Sequence, residues 1–212
     1  MTSVITGDVI NSRHHKQETW LLPLKKMLAG FGRSPLWWEI TRGDSFQLEV
    51  ANPAHALLAA IAIKACIKAQ GATGLDVRMA IGTGNKTYQG NRISECTGSA
   101  FVRSGDRFEG LKKEKLNLAI QTGNAETDIG LNIMMRLALM AMDKWTAPSA
   151  EVILLQMTAL YKTGNYLNQK ELERTLKLKQ SSVSERIKRA HFGEISEFEQ
   201  YFRNLLAQPA MP

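Results

Sequence analysis

The chain has only two cysteines in 212 residues, Cys66 and Cys96. They show no ligand-like spacing, which argues against a disulfide framework or a cysteine zinc site. A membrane span is also lacking. The most apolar stretch, Ala54 to Ile67, is broken by Lys64 and falls short of the roughly 20 residues a spanning helix needs. No basic leader precedes the apolar run after Met1-Thr2-Ser3, so no signal peptide is expected. Internal repeats and low-complexity tracts are missing too. These absences point to a cytoplasmic protein without a membrane partner. What is present, 44% hydrophobic and 22% charged residues, is the composition of a soluble globular chain. The length suits one large or two small domains. The net charge of +7 favours a polyanionic partner, most simply nucleic acid, although the charge is not confined to one end.

The front of the chain alternates strands and helices. Ser3 to Ile5 reads as a short buried strand, and Ser12 is placed to cap a helix carrying Trp20, Leu21, Leu24, Met27, Leu28 and Phe31. Pro23 inside that helix predicts a kink or a later start. Leu36 to Ile40 and Ser45 to Val50 read as strands joined at Thr41-Arg42-Gly43-Asp44. A helix follows from Pro53 to about Gln70, then a strand from Val77 to Ile81. Strand, helix, two strands, helix, strand is the split βαβ, ferredoxin-like order. Further on, Ala100 to Leu111 reads as a helix, Leu116 to Gln121 as a strand and Asp128 to Trp145 as a long Met-rich helix. Its methionines read as packing residues. Thr146-Ala147-Pro148-Ser149 breaks the pattern and starts a new helix, which sets a boundary between domains 1–145 and 146–212. The fold class is thus α+β, a ferredoxin-like domain followed by an all-α domain.

Two aspartates stand out by position. Asp8 ends the first strand and Asp44 sits in the hairpin turn, so both fall at one edge of the expected sheet. A carboxylate pair there can hold Mg²⁺, which prefers oxygen ligands. The backbone after Asp8, through Val9, Ile10, Asn11 and Ser12, is expected to open a helix whose N-terminus suits a phosphate. Each aspartate alone has an ordinary explanation as a turn residue or a helix cap. His14 and His15 read as surface residues.

Asn168 to Ala190 carries a helix-turn-helix signature. Leu172, Leu176 and Leu178 bury the first helix and turn, while Val183 and Ile187 place an apolar stripe on the second. The other face of that second helix is polar. Ser181, Ser182, Ser184 and Glu185 are candidate base-edge contacts, and Gln180, Arg186, Lys188 and Arg189 candidate phosphate contacts. Glu173 and Lys177 stand where such units usually carry a small residue and a turn glycine, so the turn must form without glycine. An ordinary helical hairpin with a solvated basic face is the alternative. Helix-turn-helix proteins usually pair on two half-sites, so a homodimer on double-stranded DNA is expected. The Met-rich helix and Ile195 to Leu206 are its candidate surfaces.

The order of motifs resembles the SatD family of bacterial proteins. The resemblance is carried by Ile5-Thr6-Gly7-Asp8-Val9-Ile10-Asn11-Ser12-Arg13, Gly43-Asp44-Ser45-Phe46-Gln47 and Val77-Arg78-Met79-Ala80-Ile81-Gly82-Thr83-Gly84. It continues through Gly98-Ser99-Ala100-Phe101, Lys144-Trp145-Thr146 and the helix-turn-helix. The front half also resembles nucleotide-cyclase and palm-type domains. That likeness implies Mg²⁺ on Asp8 and Asp44 and a bound nucleotide, with metal ions aligning the reacting groups. The expected transition-state Arg falls on Gly105, with Arg103 or Arg107 a turn away, and the base-recognising lysine has no counterpart at Ile40. Loss of one such group costs about 10²–10³-fold in rate. The resemblance therefore implies a transcription regulator that senses a nucleotide or metal, not a working cyclase. The alternative is a Mg²⁺-dependent nucleotidyl cyclase or nucleotidyltransferase with an accessory helical domain.

Overall fold

Alternation of side chains along the first strand carries it well past Ile5. Ile5 and Val9 face one apolar cluster, while Val4 packs with Ala100 and Phe101 and Thr6 bonds Ser104 on the other side. With both faces of the strand covered, the sheet continues to Ile10. The computed structural model describes residues 1–41 and 43–207. Arg42 of the hairpin link and residues 208–212, the end of the expected second domain, lie outside the described residues.

Five strands are present among the described residues: β1 (Thr2–Ile10), β2 (Trp38–Thr41), β3 (Ser45–Val50), β4 (Asp76–Gly84) and β5 (Leu118–Gln121). They form one mixed sheet in the order β2-β3-β1-β4-β5, antiparallel throughout except for the parallel pair β4–β5. Eight α-helices lie among the described residues: α1 (Gln17–Ala29), α2 (Ala56–Lys68), α3 (Ser99–Glu114), α4 (Ala125–Met142), α5 (Ala147–Thr163), α6 (Gln169–Leu176), α7 (Gln180–Arg189) and α8 (Phe192–Ala207). The protein is α+β. None of these helices is long and apolar enough to cross a membrane.

The start of α1 differs from expectation. Asn11 takes a left-handed conformation (φ 59°), held by its Nδ2 donating to the Gly74 carbonyl at 2.7 Å. A 3-10 turn over Ser12–His14 follows, and α1 begins only at Gln17 with no side-chain cap. Ser12 does not cap it, because its hydroxyl donates to Asp44 Oδ2 at 2.6 Å. Pro23 does not delay the helix either, as α1 is already formed before it.

α2 is apolar on every side, the pattern of a helix without a solvent face. It lies between the sheet and α5, and Lys64 is buried within it. The Lys64 ammonium meets Asp76 and Asp143, each at 2.7 Å, tying α2 to the start of β4 and the end of α4. Breaking one arm of such a buried pair costs about 3–5 kcal/mol, since a charge is left uncompensated. The core also runs unbroken past Trp145. Ala150, Ile153, Met157 and Leu160 of α5 join the cluster that holds Ile5, Leu48 and Val77. Trp145 itself donates its indole N–H to the Ala190 carbonyl at 2.9 Å.

On the opposite face of the sheet α3 packs closely over β4. A Cβ at Gly82 would lie 2.3 Å from the Ala100 carbonyl and the Ser104 amide, so only glycine permits this approach.

Candidate nucleic-acid interface and the carboxylate cleft

The apolar residues of the α6–α7 pair gather as their spacing requires. Leu172 and Val183 are buried with Val152 of α5, and Leu176, Leu178 and Ile187 pack against them. Asn168 caps α6 through a reciprocal box, accepting from the Glu171 amide at 3.1 Å while Glu171 accepts from the Asn168 amide at 2.7 Å. The turn is built on Lys177 itself, in the left-handed region at φ 54°. Its cost is offset by the Leu178 amide, which returns to the Glu173 carbonyl at 3.1 Å. Glu173 is half-buried.

The outward side of α7 is only partly free. Arg186 turns back to Glu151 of α5 at 2.7 Å, and Arg189 pairs with Glu185 at 2.5 Å. Ser184 accepts from Gln169 at 2.8 Å. Gln180, Ser181 and Lys188 are exposed and Ser182 half-buried. Sequence reasoning missed the flanking cations. Lys170, Arg174, Lys177 and Lys179 are exposed, and neither they nor Lys188 make an ion pair among the described residues. The first turn of α7 has no side-chain cap, which leaves its amides to solvent or to an anion. The signal for these cations was in the charge count: seven basic and three acidic residues stand between Asn168 and Ala190.

The two aspartates are backbone neighbours with separately engaged side chains. The Asp44 carbonyl accepts from the Val9 amide at 3.1 Å. Asp8 lies within β1, not at its end, opposite Ser45 on one side and Arg78 on the other. Its Oδ2 accepts from the Arg78 guanidinium at 2.6 Å, and Arg78 in turn stacks over Phe108 of α3. Asp44 accepts the Ser12 hydroxyl and lines a cleft of about 250 Å³ with Ser12, Arg13, His15, Gln17 and Trp20. A two-metal site needs carboxylates converging on one point with charge to spare. Arg78 already balances Asp8, whose buried Oδ1 has no partner among the described residues. Asp8 and Asp44 are thus each engaged within the protein, Asp8 by Arg78 and Asp44 by Ser12. Among the described residues, no group of three or more His, Cys, Asp or Glu is placed to hold a metal.

The expected phosphate cradle is also rearranged. The Val9 amide is spent on Asp44, Ile10 stands in the ladder opposite Asp76, and Asn11 is tied to Gly74. Arg103 does not join this end of the molecule. It clamps the far end of the sheet, donating to the carbonyls of Thr83 and Thr122 at 2.6 and 2.7 Å. Gly84 lies six residue steps along β4 from Arg78, about 20 Å of strand. One donor near the cleft lacks a partner among the described residues: the indole N–H of the buried Trp20.

A polar cluster joins α8 to the front half. Glu199 is buried, accepting from Arg203 at 3.2 Å and from the Tyr166 hydroxyl at 3.4 Å. Burial pushes the Glu199 carboxyl above its ordinary range, against the opposing pull of Arg203. Burial and Arg203 together lower His55.

Comparison with protein-family models found no match, and neither curated proteins nor solved structures gave one.

Proposed function

We propose that this protein is a DNA-binding transcription regulator, with α6 and α7 as its helix-turn-helix and α7 as the helix that enters the major groove. One observation carries the reading. The pair buries its apolar stripe against α5 and turns outward an uncapped α7 N-terminus flanked by cations without ion pairs. Backbone amides and lysines of that kind position a protein on phosphates, Gln180 is exposed beside them, and the exposed Ser181 is proposed to read a base edge. Lys177, Lys179 and Lys188 replace Arg186 as the leading phosphate contacts, since Arg186 is held by Glu151. Fluorescence anisotropy with a mixed-sequence duplex tests this directly. Lys179→Ala with Lys188→Ala is expected to weaken binding about 10-fold or more on every sequence at moderate salt. Unchanged affinity refutes the assignment of α7.

The front domain is proposed as the sensing part. Its strand order β2-β3-β1-β4, antiparallel throughout, with α1 and α2 packed together over one face, supports the ferredoxin-like reading and the resemblance to nucleotide-binding palms. The cleft beside Asp44 offers Arg13 and the Trp20 N–H, which has no partner among the described residues, a donor pair suited to an anionic ligand such as a nucleotide phosphate without metal. Thermal denaturation with and without nucleoside triphosphates checks it. A Tm increase that survives chelation of Mg²⁺ and is lost in Arg13→Ala is the expected result. No shift with any of them removes the sensing role.

A further inference from the structure

α4 exposes an apolar row that no other described residue covers. Ile129, Ile133, Leu137 and Met140 are 64, 48, 62 and 66% exposed, whereas Leu131, Met135, Leu139 and Met142 fill the core. The methionines of this helix are therefore divided: Met134, Met135 and Met142 pack inward and Met140 does not. Beside the row, a groove of about 570 Å³ runs between α4 and α8, floored by Ala138, Ala141, Ile195 and Phe198.

The centre of the exposed face follows a 4-3-4-3-4 spacing: Glu126, Gly130, Ile133, Leu137, Met140, Lys144. That is the 3.5-residue repeat of a coiled-coil seam. Lys144 stays on the helical path, its amide donating to the Ala141 carbonyl at 3.0 Å. The spacing reads the same from either end, and so does its chemistry. Two such helices laid antiparallel about a two-fold axis near Met135 set Ile133 against Leu137, and Gly130 against Met140. Glu126 then faces Lys144 at both ends. Neither Glu126 nor Lys144 has an ion-pair partner among the described residues. Gly130 meets nothing within 4 Å, so its missing side chain serves no packing need within the protomer. A mid-helix glycine costs about 1 kcal/mol against alanine, and a partner's Met140 seated over it supplies the reason.

We propose that this face of α4 binds a second copy of the same chain, forming an antiparallel α4–α4 seam with the α8 groove as its flank. A two-fold interface uses one patch twice and must be self-complementary, and this patch is so in both shape and charge. A small apolar ligand is the other occupant to weigh. It would fill the groove but leave Ile129 and Ile133, toward the other end of the row, in water. The self-matching charges at both ends favour the second copy. The seam does not depend on what α7 binds.

Sedimentation equilibrium of the full chain across about 1–200 µM tests the proposal. The wild-type chain is expected to be a dimer. Leu137→Glu, at a position exposed in the protomer, is expected to loosen it at least about 100-fold while far-UV circular dichroism and Tm stay near wild type. Glu126→Lys or Lys144→Glu alone sets like charges together at two places and is expected to weaken the dimer about 10-fold. The double exchange restores it. A wild-type monomer throughout this range overturns the seam, as does a dimer indifferent to Leu137→Glu. Charge exchanges that add without rescue overturn it too.

Discussion

Lys177 sits at φ 54°, in a region that costs an L-residue about 1–2 kcal/mol relative to glycine. Its side chain is exposed and forms no ion pair among the described residues, so nothing in the described fold demands a lysine there. Lys177→Gly is expected to raise Tm by about 2–4 °C, and to lower DNA affinity if the ammonium contacts phosphate. A fall in Tm would show that the turn is stabilised by something other than backbone geometry. Glu199 gives the pH counterpart. Its carboxyl is raised in the folded protein, so the folded state holds a proton that the unfolded chain releases near the ordinary glutamate value of about 4.5. Its contribution to stability is present in acid and is lost as pH rises from that value through the raised folded one. Glu199→Gln removes this loss. Chemical denaturation at pH 4 and pH 7 is expected to show a smaller decline from the acid to the neutral value in the variant than in the wild type. An identical decline would contradict the assignment.

At the level of elements, what was legible in the sequence is what repeats. The all-apolar run from Ala54 to Ile67 names a buried helix, and the Leu172, Leu176, Val183, Ile187 spacing names a packed helical pair. What was hidden depends on partners distant in the chain. β1 continues past Ile5 because α3 covers its second face, and no local pattern in Thr6-Gly7-Asp8 announces α3. The ion pair that engages Asp8 depends on Arg78, which β4 brings beside it from 70 residues away. Ser12 has the look of a helix cap until the hairpin supplies Asp44. The helical period around Met134 to Met142 was legible, but not which face would remain uncovered. That depended on where α8 came to rest against α4.

The whole molecule couples its two halves through shared packing. α5 gives one side to the main core and the other to the small cluster that seats α6 and α7, so the proposed DNA-reading helix rests on the helix that covers α2. Trp145 and the Glu199 cluster are further ties between the sheet domain and the C-terminal helices. A ligand that stiffens the front cleft has this physical route to α7, and the α4 seam would bring two copies of α7 into one assembly. The regulator reading rests on whether α7 meets nucleic acid. The direct measurement is the slope of log affinity against log salt for duplex DNA, taken between about 50 and 200 mM for the wild-type chain and for the Lys179→Ala, Lys188→Ala variant. About four phosphate contacts per protomer predict a wild-type slope near −4, reduced by about 1 for each lysine removed. A slope near zero, or one that the two substitutions leave unchanged, would contradict the account.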